Sequence, residues 1–511
     1  MTVEPAHRAP KTLPFCKRWP YEEAHGPRFW MFHLMHPTAH AFKDNARSAL
    51  ADAQLQRALA GLTHGDSLVT RRAAARSRLP EFEDLRDIGR DIKNHTLAHL
   101  DLYLEAWETK AKAAGAIVHW APTAADARRI ILDICKSVDA KLVTKGKSML
   151  SEEVGLNAHL EAAGMEVVET DLGEYLVQIR KETPSHIIAP AIHLTQEEVE
   201  KDFRRLHTHL PKDRVLVEAH ELVDEARQIL RSKFVDADVG ITGANFLIAE
   251  TGSSVIVTNE GNGDLTQSLA KVHIAIASIE KVIPTLSDLS TLLRLLARSA
   301  TGQEFSTYMT LSTGPRRPGD PDGPEQYHVV VLDNGRSALL DTPFREALRC
   351  IRCCACMNHC PVYGAVGGHA YGWVYPGPIG AVLNPALIGL KEAGHLPNAS
   401  TFCGRCASVC PVKIPLPDLM REWRVREFED GGGTRAARLG LKLWGTLARR
   451  PKAYHMAMRL GVAVVGALGR RRGAFRWLPF AGGWTRHRDM PAPQGRTFQQ
   501  LWAESKAGAP R

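Results

Sequence analysis

Eight of the ten cysteines lie in two short runs, at residues 350–360 and 403–410. The first run has the spacing C-x2-C-x2-C-x3-C-P and the second C-x2-C-x3-C-P, carried by Cys350, Cys353, Cys356, Cys360, Cys403, Cys406 and Cys410. A loop with a cysteine at every third position supplies three of the four thiolates of an iron–sulfur cubane, and the cysteine before the proline ligates the other cluster. The spacing therefore predicts paired iron–sulfur clusters, whose chemistry is electron transfer.

A structural zinc site and disulfide bonds are the alternatives for so many cysteines. Zinc takes four thiolate or imidazole ligands, whereas this segment offers eight cysteines and two Cys-Pro endings, which favours iron–sulfur ligation. A chain of 511 residues can bury a sizeable core without covalent cross-links, and its first residues do not resemble a signal peptide. We therefore expect a cytoplasmic protein in a reducing compartment.

The basic character of the chain belongs to its C-terminal tail. Residues 431–511 hold 16 Lys and Arg against two Asp and Glu, whereas residues 1–430 hold 49 and 54. The longest apolar run of the tail, residues 460–468, is far shorter than the roughly 20 residues that span a bilayer. The open alternatives are a peripheral helix on the inner face of the membrane, an acidic partner subunit, nucleic acid, which no recognisable module supports, and a solvated surface covering the cluster domain.

Helical and strand patterns divide the chain into five segments. Residues 1–40 lack a regular period and predict an irregular extension, and residues 41–114 have apolar side chains at helical spacing. From 115 to 340, short strands alternate with helices such as 123–137, 217–234 and 288–298, which predicts an α/β domain with a largely parallel sheet. The cluster domain follows at 341–430, and a basic helical tail at 431–511. The predicted strands cover residues 115–120, 141–144, 166–170, 186–190, 239–242, 254–258, 273–276 and 328–332.

Three polar turns lie among the predicted strands, and the ends of strands are where open α/β sheets place their ligands. Their polar side chains are Lys145, Lys147 and Ser148 in the first turn, Glu250 in the second, and Asn259 and Glu260 in the third. Lysine charge and free helix N–H groups can hold a carboxylate or phosphate. Each turn is also typical of plain loop structure, because Gly and Asn suit left-handed backbone. No G-x-G-x-x-G follows a strand, so nicotinamide or flavin binding has no support.

Several longer segments carry recognisable motifs. They are VETDLGE at 168–174, PSHIIAP at 184–190, DVGITG at 238–243, VTNEGNG at 257–263, DNGR at 333–336, GPIGAV at 377–382, CPVKIPL at 410–416 and RDMPAP at 488–493. In these segments the chain resembles the lactate utilisation protein B family, from about residue 40 to the C-terminus.

The resemblance implies a fold and a set of cluster ligands. The α/β domain would be similar to ribose-phosphate isomerase and CoA-transferases, and a mainly α-helical ferredoxin-like domain with two 4Fe-4S clusters would follow. The first cluster would be held by Cys350, Cys353, Cys356 and Cys410, and the second by Cys360, Cys403 and Cys406. Three thiolates leave the fourth ligand of the second cluster open: a labile iron, a non-cysteine ligand and a 3Fe-4S form are the alternatives.

Cys354 departs from the Gly or Ala that we expect at its position. We expect it to be a bystander, since the neighbouring Cys353 already belongs to the first cluster. If Cys354 instead completes the second cluster, its substitution should change the cluster content rather than only the stability.

The resemblance also implies a function within a complex. Family members are thought to act with two sister subunits, one cysteine-rich and one carrying only the lactate-utilisation domain, and to oxidise L-lactate to pyruvate. We therefore expect an electron-transfer subunit that passes electrons to a membrane or soluble acceptor, with no catalytic residue identified. Its α/β domain would bind the substrate carboxylate or hold the partner subunits. The alternatives are an isomerase- or transferase-type enzyme with structural clusters, using Glu250 or Glu260, and an iron–sulfur regulatory protein.

Overall fold

The computed structural model describes residues 37–62, 65, 67–479, 481–485 and 488–507. The chain divides into two compact units, Met1–Glu427 and Phe428–Arg511. The first unit holds the α/β region and both cysteine runs, and the second holds the basic tail. Residues 1–36, which make up most of the predicted extension, lie outside the described residues.

A six-stranded parallel sheet forms the centre of the α/β region. The strands of the first unit are β1 (Ile117–Ala121), β2 (Leu142–Lys145), β3 (Glu166–Glu169), β4 (Val239–Gly243), β5 (Phe246–Ile248), β6 (Ser253–Thr258), β7 (Val272–Ser278), β8 (Val282–Ile283), β9 (Tyr308–Ser312) and β10 (Gln326–Leu332). The parallel sheet has the order β1-β10-β7-β4-β2-β3. All six strands were predicted, because strands of a parallel sheet are recognisable as short runs of apolar and β-branched residues.

A second sheet, with the order β8-β5-β6-β9, lies in the same unit. Only β6 was predicted. Strands β5 and β8 have three and two residues, too few to show a period, and β9 is an edge strand with no buried side chain. The strand predicted at residues 186–190 is wrong, since these residues form bends and turns. There the ring of His186 accepts hydrogen bonds from the N–H groups of Ile188 and Ala189, a local alternative to pairing in a sheet.

Helices cover both faces of the sheet and make up the regular structure of the cysteine-bearing segment, together with short 3-10 turns. They are α1 (Phe42–Ala51), α2 (Ala53–Ala60), α3 (Leu68–Ser77), α4 (Phe82–Ala98), α5 (Leu100–Ala113), α6 (Ala124–Ser137), α7 (Met149–Glu153), α8 (Leu156–Ala162), α9 (Leu172–Arg180), α10 (Gln196–Leu206), α11 (Ala219–Asp236), α12 (Asn262–Leu269), α13 (Leu286–Ala300), α14 (Ala355–Asn358), α15 (Pro361–Val366), α16 (Gly377–Ile388), α17 (Leu390–Ala393), α18 (Arg405–Val409) and α19 (Leu416–Glu429). The three predicted helices correspond to α6, α11 and α13. Thr123 and Thr285 cap α6 and α13 through their hydroxyl oxygens, as their place before an apolar run predicts.

Helix α12 packs directly on strand β4, and the contact depends on Gly240. A Cβ at this position would lie 1.9 Å from the carbonyl oxygen of Thr266. Any side chain here would therefore push the helix away from the sheet.

The cysteine-bearing segment and the α/β region share one apolar core. Its buried side chains include Phe246 and Ile283 of the second sheet, Leu292 of α13, and Phe344 and Tyr371 of the cysteine-bearing segment. The two runs are therefore held by the same core that stabilises the second sheet, and their position relative to it is fixed by packing.

Among its described residues, the second unit contains four further helices and a two-stranded antiparallel sheet. These are α20 (Arg435–Ala448), α21 (Pro451–Gly469), β11 (Ala474–Phe475), α22 (Gly482–Thr485), β12 (Met490–Pro491) and α23 (Phe498–Ala507). Helix α20 exposes Leu439, Leu443 and Trp444. Across the described part of the chain, no helix has the length and apolar character needed to cross a membrane.

Candidate iron–sulfur site

Five cysteines of the two runs line one largely apolar pocket in the first unit: Cys350, Cys353, Cys354, Cys356 and Cys410. Burial and the charge of Cys350 together raise the pKa of Cys410 to about 11, against the lowering effect of the N–H groups of Ile414 and Val412. Burial also raises the pKa of Cys356, with added effects from the other four thiols of the pocket. The fold thus brings together the first predicted set, three cysteines from the first run and one from the second.

The remaining three thiols form a second group. Burial raises the pKa of Cys406 to about 12, and the charges of Cys360 and Cys403 add to that effect. Cys406 is buried, Cys360 is half-buried and Cys403 is exposed, so this group extends from the core to the surface. The second group contains the three thiols that the resemblance implied, whereas the first contains the implied four together with Cys354. The role of these thiols as iron ligands stays a prediction.

The spacing of the thiols does not suit a single zinc ion. Four thiolates at about 2.3 Å from one zinc would lie roughly 3.8 Å from each other. Among the described residues, the three possible ligand side chains with atoms within 4.8 Å of one another are Glu152, Glu169 and Glu174. No three of the described thiols are that close together.

The loops around these thiols direct backbone N–H groups at sulfur. Arg352 has left-handed backbone with φ 60°, and its N–H lies 3.4 Å from Cys350 Sγ. In the second run the N–H of Ile414 lies 3.3 Å from Cys410 Sγ. Hydrogen bonds to sulfur stabilise thiolate charge and set the potential of a cluster. The donor set and the backbone therefore both fit an iron–sulfur group.

Cys354 is buried beside the first group but faces the α/β region. Its φ of 63° is left-handed, a conformation that favours glycine. Burial and the charge of Cys353 raise its pKa well above the ordinary value, whereas Lys147 and the N–H of Ile188 lower it. These contacts agree with a bystander, and that role also stays a prediction.

A buried charge network anchors the first cysteine loop to the α/β region. Arg352 lies 3.6 Å from Glu280 and stacks on the ring of Tyr375, 4.5 Å from the ring centre. Glu280 also pairs with Arg336 at 3.3 Å. Arg336 holds both carboxylate oxygens of Glu153, at 2.9 and 2.6 Å. The charged pairs fix the loop because breaking any one of them strands a buried charge.

Two buried lysines place positive charge near Cys350. Burial lowers the pKa of Lys93 and of Lys281 to about 8, an effect opposed by Glu280 and Cys350. The ammonium of Lys93 donates to the carbonyl oxygen of Glu280 at 2.5 Å. Nearby cations stabilise an added electron, so they favour the reduced form of a group bound here.

Helices α3 and α4 hold the backbone of the second run. The guanidinium of Arg86 donates to the carbonyl oxygens of Ser408 at 2.7 Å and Cys410 at 2.8 Å. Arg72 donates to the carbonyl oxygen of Val409 at 2.9 Å. The helices predicted at residues 41–114 therefore include two, α3 and α4, that hold the backbone of the second cysteine run in place.

The first polar turn separates into one buried lysine and a pair of groups at the end of the sheet. Lys145 is fully buried, and its ammonium pairs with Glu152 at 2.7 Å and Glu169 at 2.6 Å. Burial lowers its pKa, but the nearby carboxylates outweigh that effect and raise it overall. Lys145 is thus already ion-paired inside the protein, and it could bind a substrate carboxylate only if Glu152 and Glu169 were displaced.

Lys147 and Glu260 both lie near Asp171. Lys147 is 3.7 Å from Asp171 and donates to the carbonyl oxygen of Ile188. The carboxylate of Glu260 accepts from the N–H of Leu172 at 3.2 Å. Desolvation and Asp171 raise the pKa of Glu260, whereas that N–H and Lys147 lower it.

Three other predicted residues have structural partners. Ser148 caps α7 by accepting from the N–H of Ser151. Glu250 accepts from the N–H of Leu286 at the start of α13. Asn259 accepts from the N–H of Thr307 and pairs with Gln303. Glu250 and Asn259 hold loops on the second sheet, so the structure does not bring the six candidates into one site.

His186 is a site residue that the sequence did not reveal. Its Nδ1 accepts two backbone N–H groups, at 3.1 and 3.0 Å, so Nε2 carries the proton and donates to Asn358 at 2.9 Å. Burial lowers its pKa to about 4. His186 thus ties the turn 186–190 to helix α14 between the cysteines, and the PSHIIAP motif was the only signal of it.

Comparisons with known proteins agree with this architecture. Family models match residues 104–332 (LUD domain), 346–414 (4Fe-4S dicluster domain) and 417–507 (Lactate utilisation protein B, C-terminal). Relatives named Lactate utilization protein B from Shouchella clausii and Bacillus velezensis are both 41% identical, over 92% and 91% of this chain and 98% and 97% of theirs. The chain belongs to the lactate utilization protein B family. A relative of the same name from Bacillus anthracis is 40% identical over 91% of this chain and 98% of its own.

A solved structure of a duf162 family protein from Deinococcus radiodurans is 14% identical and covers 46% of this chain and 98% of its own, with a TM-score of 0.26. This likeness is too low to decide the fold. For this member of the lactate utilization protein B family, the LUD match contains all ten strands of the first unit, and the dicluster match contains both thiol groups. The cysteine-bearing segment is therefore an iron–sulfur domain beside a parallel-sheet α/β region.

Proposed function

We propose that this chain is the iron–sulfur electron-transfer subunit of a complex that oxidises L-lactate to pyruvate. In this proposal Cys350, Cys353, Cys356 and Cys410 hold one 4Fe-4S cluster, and Cys360, Cys403 and Cys406 hold the second. Bound clusters supply one-electron transfer. The relatives' name supports the link to lactate, and the dicluster match supports paired clusters.

The observation that carries the proposal is the graded exposure of the two thiol groups. The first group lies in a pocket beside Lys281 and Arg352, against the α/β region. The second reaches the surface at Cys403. An electron entering near the α/β region therefore has a route through the first group to the exposed second group.

The substrate side is the end of the parallel sheet nearest the first thiol group. Lys147 offers positive charge for a carboxylate, and it lies close enough to Cys354 to lower the pKa of that thiol. Glu260 lies across from Lys147, where a carboxylate with a raised pKa can hold a proton. We propose that this corner binds either the lactate carboxylate or a sister subunit that carries it.

The acceptor side is a cleft beside the second thiol group. It has a volume of about 590 Å³, and its lining includes Arg72, Arg76, Arg405 and His359 together with Glu83, which pairs with Arg76 at 3.0 Å. The excess of arginine over glutamate in this lining favours an acidic electron acceptor. Two sister subunits complete the complex, and the basic second unit, with Leu443 exposed among arginines, supplies a contact with a partner or the inner face of a membrane.

We also propose a fold type for the α/β region. Its parallel sheet and its mixed second sheet would together form a domain similar to ribose-phosphate isomerase and CoA-transferases. The segments 41–114, 115–340, 341–430 and 431–511 are proposed as its lead-in, α/β domain, cluster domain and tail.

Iron quantitation and EPR on anaerobically purified protein test the proposal. About eight irons per chain, with two interacting reduced clusters after dithionite, are expected. With both sister subunits present, lactate alone should then reduce the clusters. Protein that binds zinc and no iron, even after anaerobic reconstitution, would refute the proposal.

A pair of buried cysteines provides the matched control. Cys353→Ala should remove the iron of the first cluster, whereas Cys135→Ala, at a buried cysteine outside the runs, should keep all of it. Equal iron content in both variants would show that the first thiol group is not a cluster site.

A further inference from the structure

The second cysteine run contains a serine where the first run has its leading cysteine. Counting back three residues from Cys403 gives Ser400, so residues 400–411 have the pattern S-x2-C-x2-C-x3-C-P. The first run has C-x2-C-x2-C-x3-C-P from Cys350. The two runs are therefore the same motif, with one oxygen in place of one sulfur.

The backbone of the two runs repeats as the sequence does. Arg352 and Phe402, each two residues after the leading position, have φ of 60° and 53°. The N–H of Arg352 lies 3.4 Å from Cys350 Sγ, and the N–H of Phe402 lies 3.1 Å from Ser400 Oγ. The Ser400 oxygen thus receives the hydrogen bond that the leading sulfur receives in the first loop.

The equivalence continues through the next turn. Cys354 and Gly404 occupy matching positions with φ of 63° and 79°. Each is followed by a short helix, α14 or α18, that carries the cysteine at the third ligand position of the motif, Cys356 or Cys406. Four features therefore agree between the loops: the left-handed residue before the second ligand position, its hydrogen bond to the leading side chain, the left-handed residue after the second ligand position, and the short helix that follows.

We propose that Ser400 is the fourth ligand of the second iron–sulfur cluster, through its Oγ. The assignment rests on the proposed function, since it requires a cluster held by Cys360, Cys403 and Cys406. An Oγ–Fe bond forms as the hydroxyl proton leaves to solvent, which is accessible because Ser400 is half-buried. The N–H of Phe402 stabilises the resulting alkoxide, as an N–H stabilises the matching thiolate.

Two other side chains compete for this role. Cys354 has its thiol among the first thiol group, Lys147 and the N–H of Ile188, on the side of the α/β region. Thr401 follows Ser400, but its hydroxyl hydrogen bonds to Cys403 and lowers the pKa of that thiol. Thr401 also matches Ile351 of the first run, a position with no ligand atom.

Three variants of the full chain, purified anaerobically, test the assignment. Ser400→Ala removes the oxygen, and Ser400→Cys restores the complete four-cysteine motif. Ser408→Ala is the control, because its hydroxyl lies in the same run and bonds only to the carbonyl oxygen of Arg405 among described residues. Each protein is measured by iron quantitation and by EPR, before and after oxidation with ferricyanide.

The expected result separates the variants by cluster type. Ser400→Ala should fall from about eight irons per chain to about seven and show the EPR signal of an oxidised 3Fe-4S cluster. Ser400→Cys should keep about eight irons and resist the ferricyanide conversion, in which one Fe(II) leaves and the cluster gives one electron to ferricyanide. Ser408→Ala should match the wild type.

Two results would overturn the assignment. One is an unchanged iron content and spectrum in Ser400→Ala; the other, decisive if that variant does not fold, is unchanged sensitivity of Ser400→Cys to ferricyanide. Loss of iron in Cys354→Ala instead would assign the fourth ligand to that thiol. A wild-type protein without iron would refute the proposed function itself, and so is distinguishable from failure of the serine assignment.

Discussion

Replacing Arg336 with methionine should destabilise the first unit strongly. Arg336 is almost completely buried, and its guanidinium makes two hydrogen bonds to Glu153, at 2.9 and 2.6 Å. In the variant, Glu153 keeps only its neutral donors, Tyr375 at 2.6 Å and Asn334 at 2.8 Å. Removing one partner of a buried ion pair costs about 3–5 kcal/mol, because the other charge stays buried without compensation.

Replacing the acidic partner of this ion pair should lower the free energy of unfolding by less. In Glu153→Gln the guanidinium of Arg336 keeps Glu280, 3.3 Å away, and the new amide can still accept from Tyr375. The double variant should lose about 1–3 kcal/mol less than the sum of the single variants, because the two side chains are in direct contact. Arg47→Met, at an arginine with 77% side-chain exposure, is the control and should have almost no effect.

The pKa of Glu153 determines how the stability depends on pH, in the wild type and in Arg336→Met. Burial raises the pKa of Glu153, but Arg336 and the hydrogen bonds lower it overall. Its contribution to stability is therefore present above its unfolded pKa and is lost as the pH falls through the folded value. Without Arg336, burial raises the pKa above the unfolded value, so the penalty is full at neutral pH and shrinks on acidification.

Anaerobic urea titration followed by far-UV circular dichroism, with iron release recorded in parallel, measures these effects. A loss below about 1 kcal/mol in Arg336→Met at neutral pH, or equal losses in both single variants, would contradict the reasoning. It would mean that the network bears little on how the first cysteine loop is held.

Three further predictions use other parts of the structure. Gly240→Ala should lower the free energy of unfolding by about 2 kcal/mol or more, because its Cβ would lie 1.9 Å from the helix backbone. The control Gly364→Ala has open space around its Cβ and should not destabilise the protein. Equal stability of the two variants in thermal unfolding would contradict the packing of α12 on β4. As clusters decay in air, iodoacetamide should label exposed Cys403 at least roughly tenfold faster than buried Cys353 by mass spectrometry, and the opposite order would contradict the graded exposure. The free energy of unfolding should fall by up to about 3 kcal/mol from pH 6.5 towards 4. Burial lowers the pKa of His186 to about 4, so on acidification the unfolded chain takes up a proton that the folded chain does not. His186→Gln should flatten that part of the profile of urea midpoint against pH, and an unchanged profile would refute this role of His186.

The sequence was sufficient for features that depend on local pattern. The six parallel strands were recognised from short apolar runs, and the cysteine spacing predicted two thiol groups that the fold does bring together. Three of the four strands of the second sheet were missed, because β5 and β8 are too short to show alternation and β9 buries no side chain. The turn at 186–190 was misjudged because its apolar residues resemble a strand, while a histidine ring satisfies its backbone.

The buried charges were beyond the reach of sequence patterns. Glu153, Glu280 and Arg352 lie on a helix, after a strand and in a cysteine loop, and nothing in their local sequence shows that they meet. Lys145 is a case where the local sequence was misleading. A lysine in a polar turn resembles a substrate ligand, but this one is fully buried and paired with two carboxylates. Long-range pairing of charges is a property of the packed fold, so only the structure separates these cases.

The charge network and the shared core together explain why one chain carries both regions. The first cysteine loop is held by Arg352 through Glu280, which follows strand β7 of the central sheet. The second run is held through Arg86, on a helix that precedes the sheet in the chain. Lys93 on that same helix donates to the carbonyl oxygen of Glu280, so the supports of the two runs are joined to each other. Neither cysteine run can therefore shift without disturbing contacts to the α/β region, and a chain that carried the runs without that region would lose these supports.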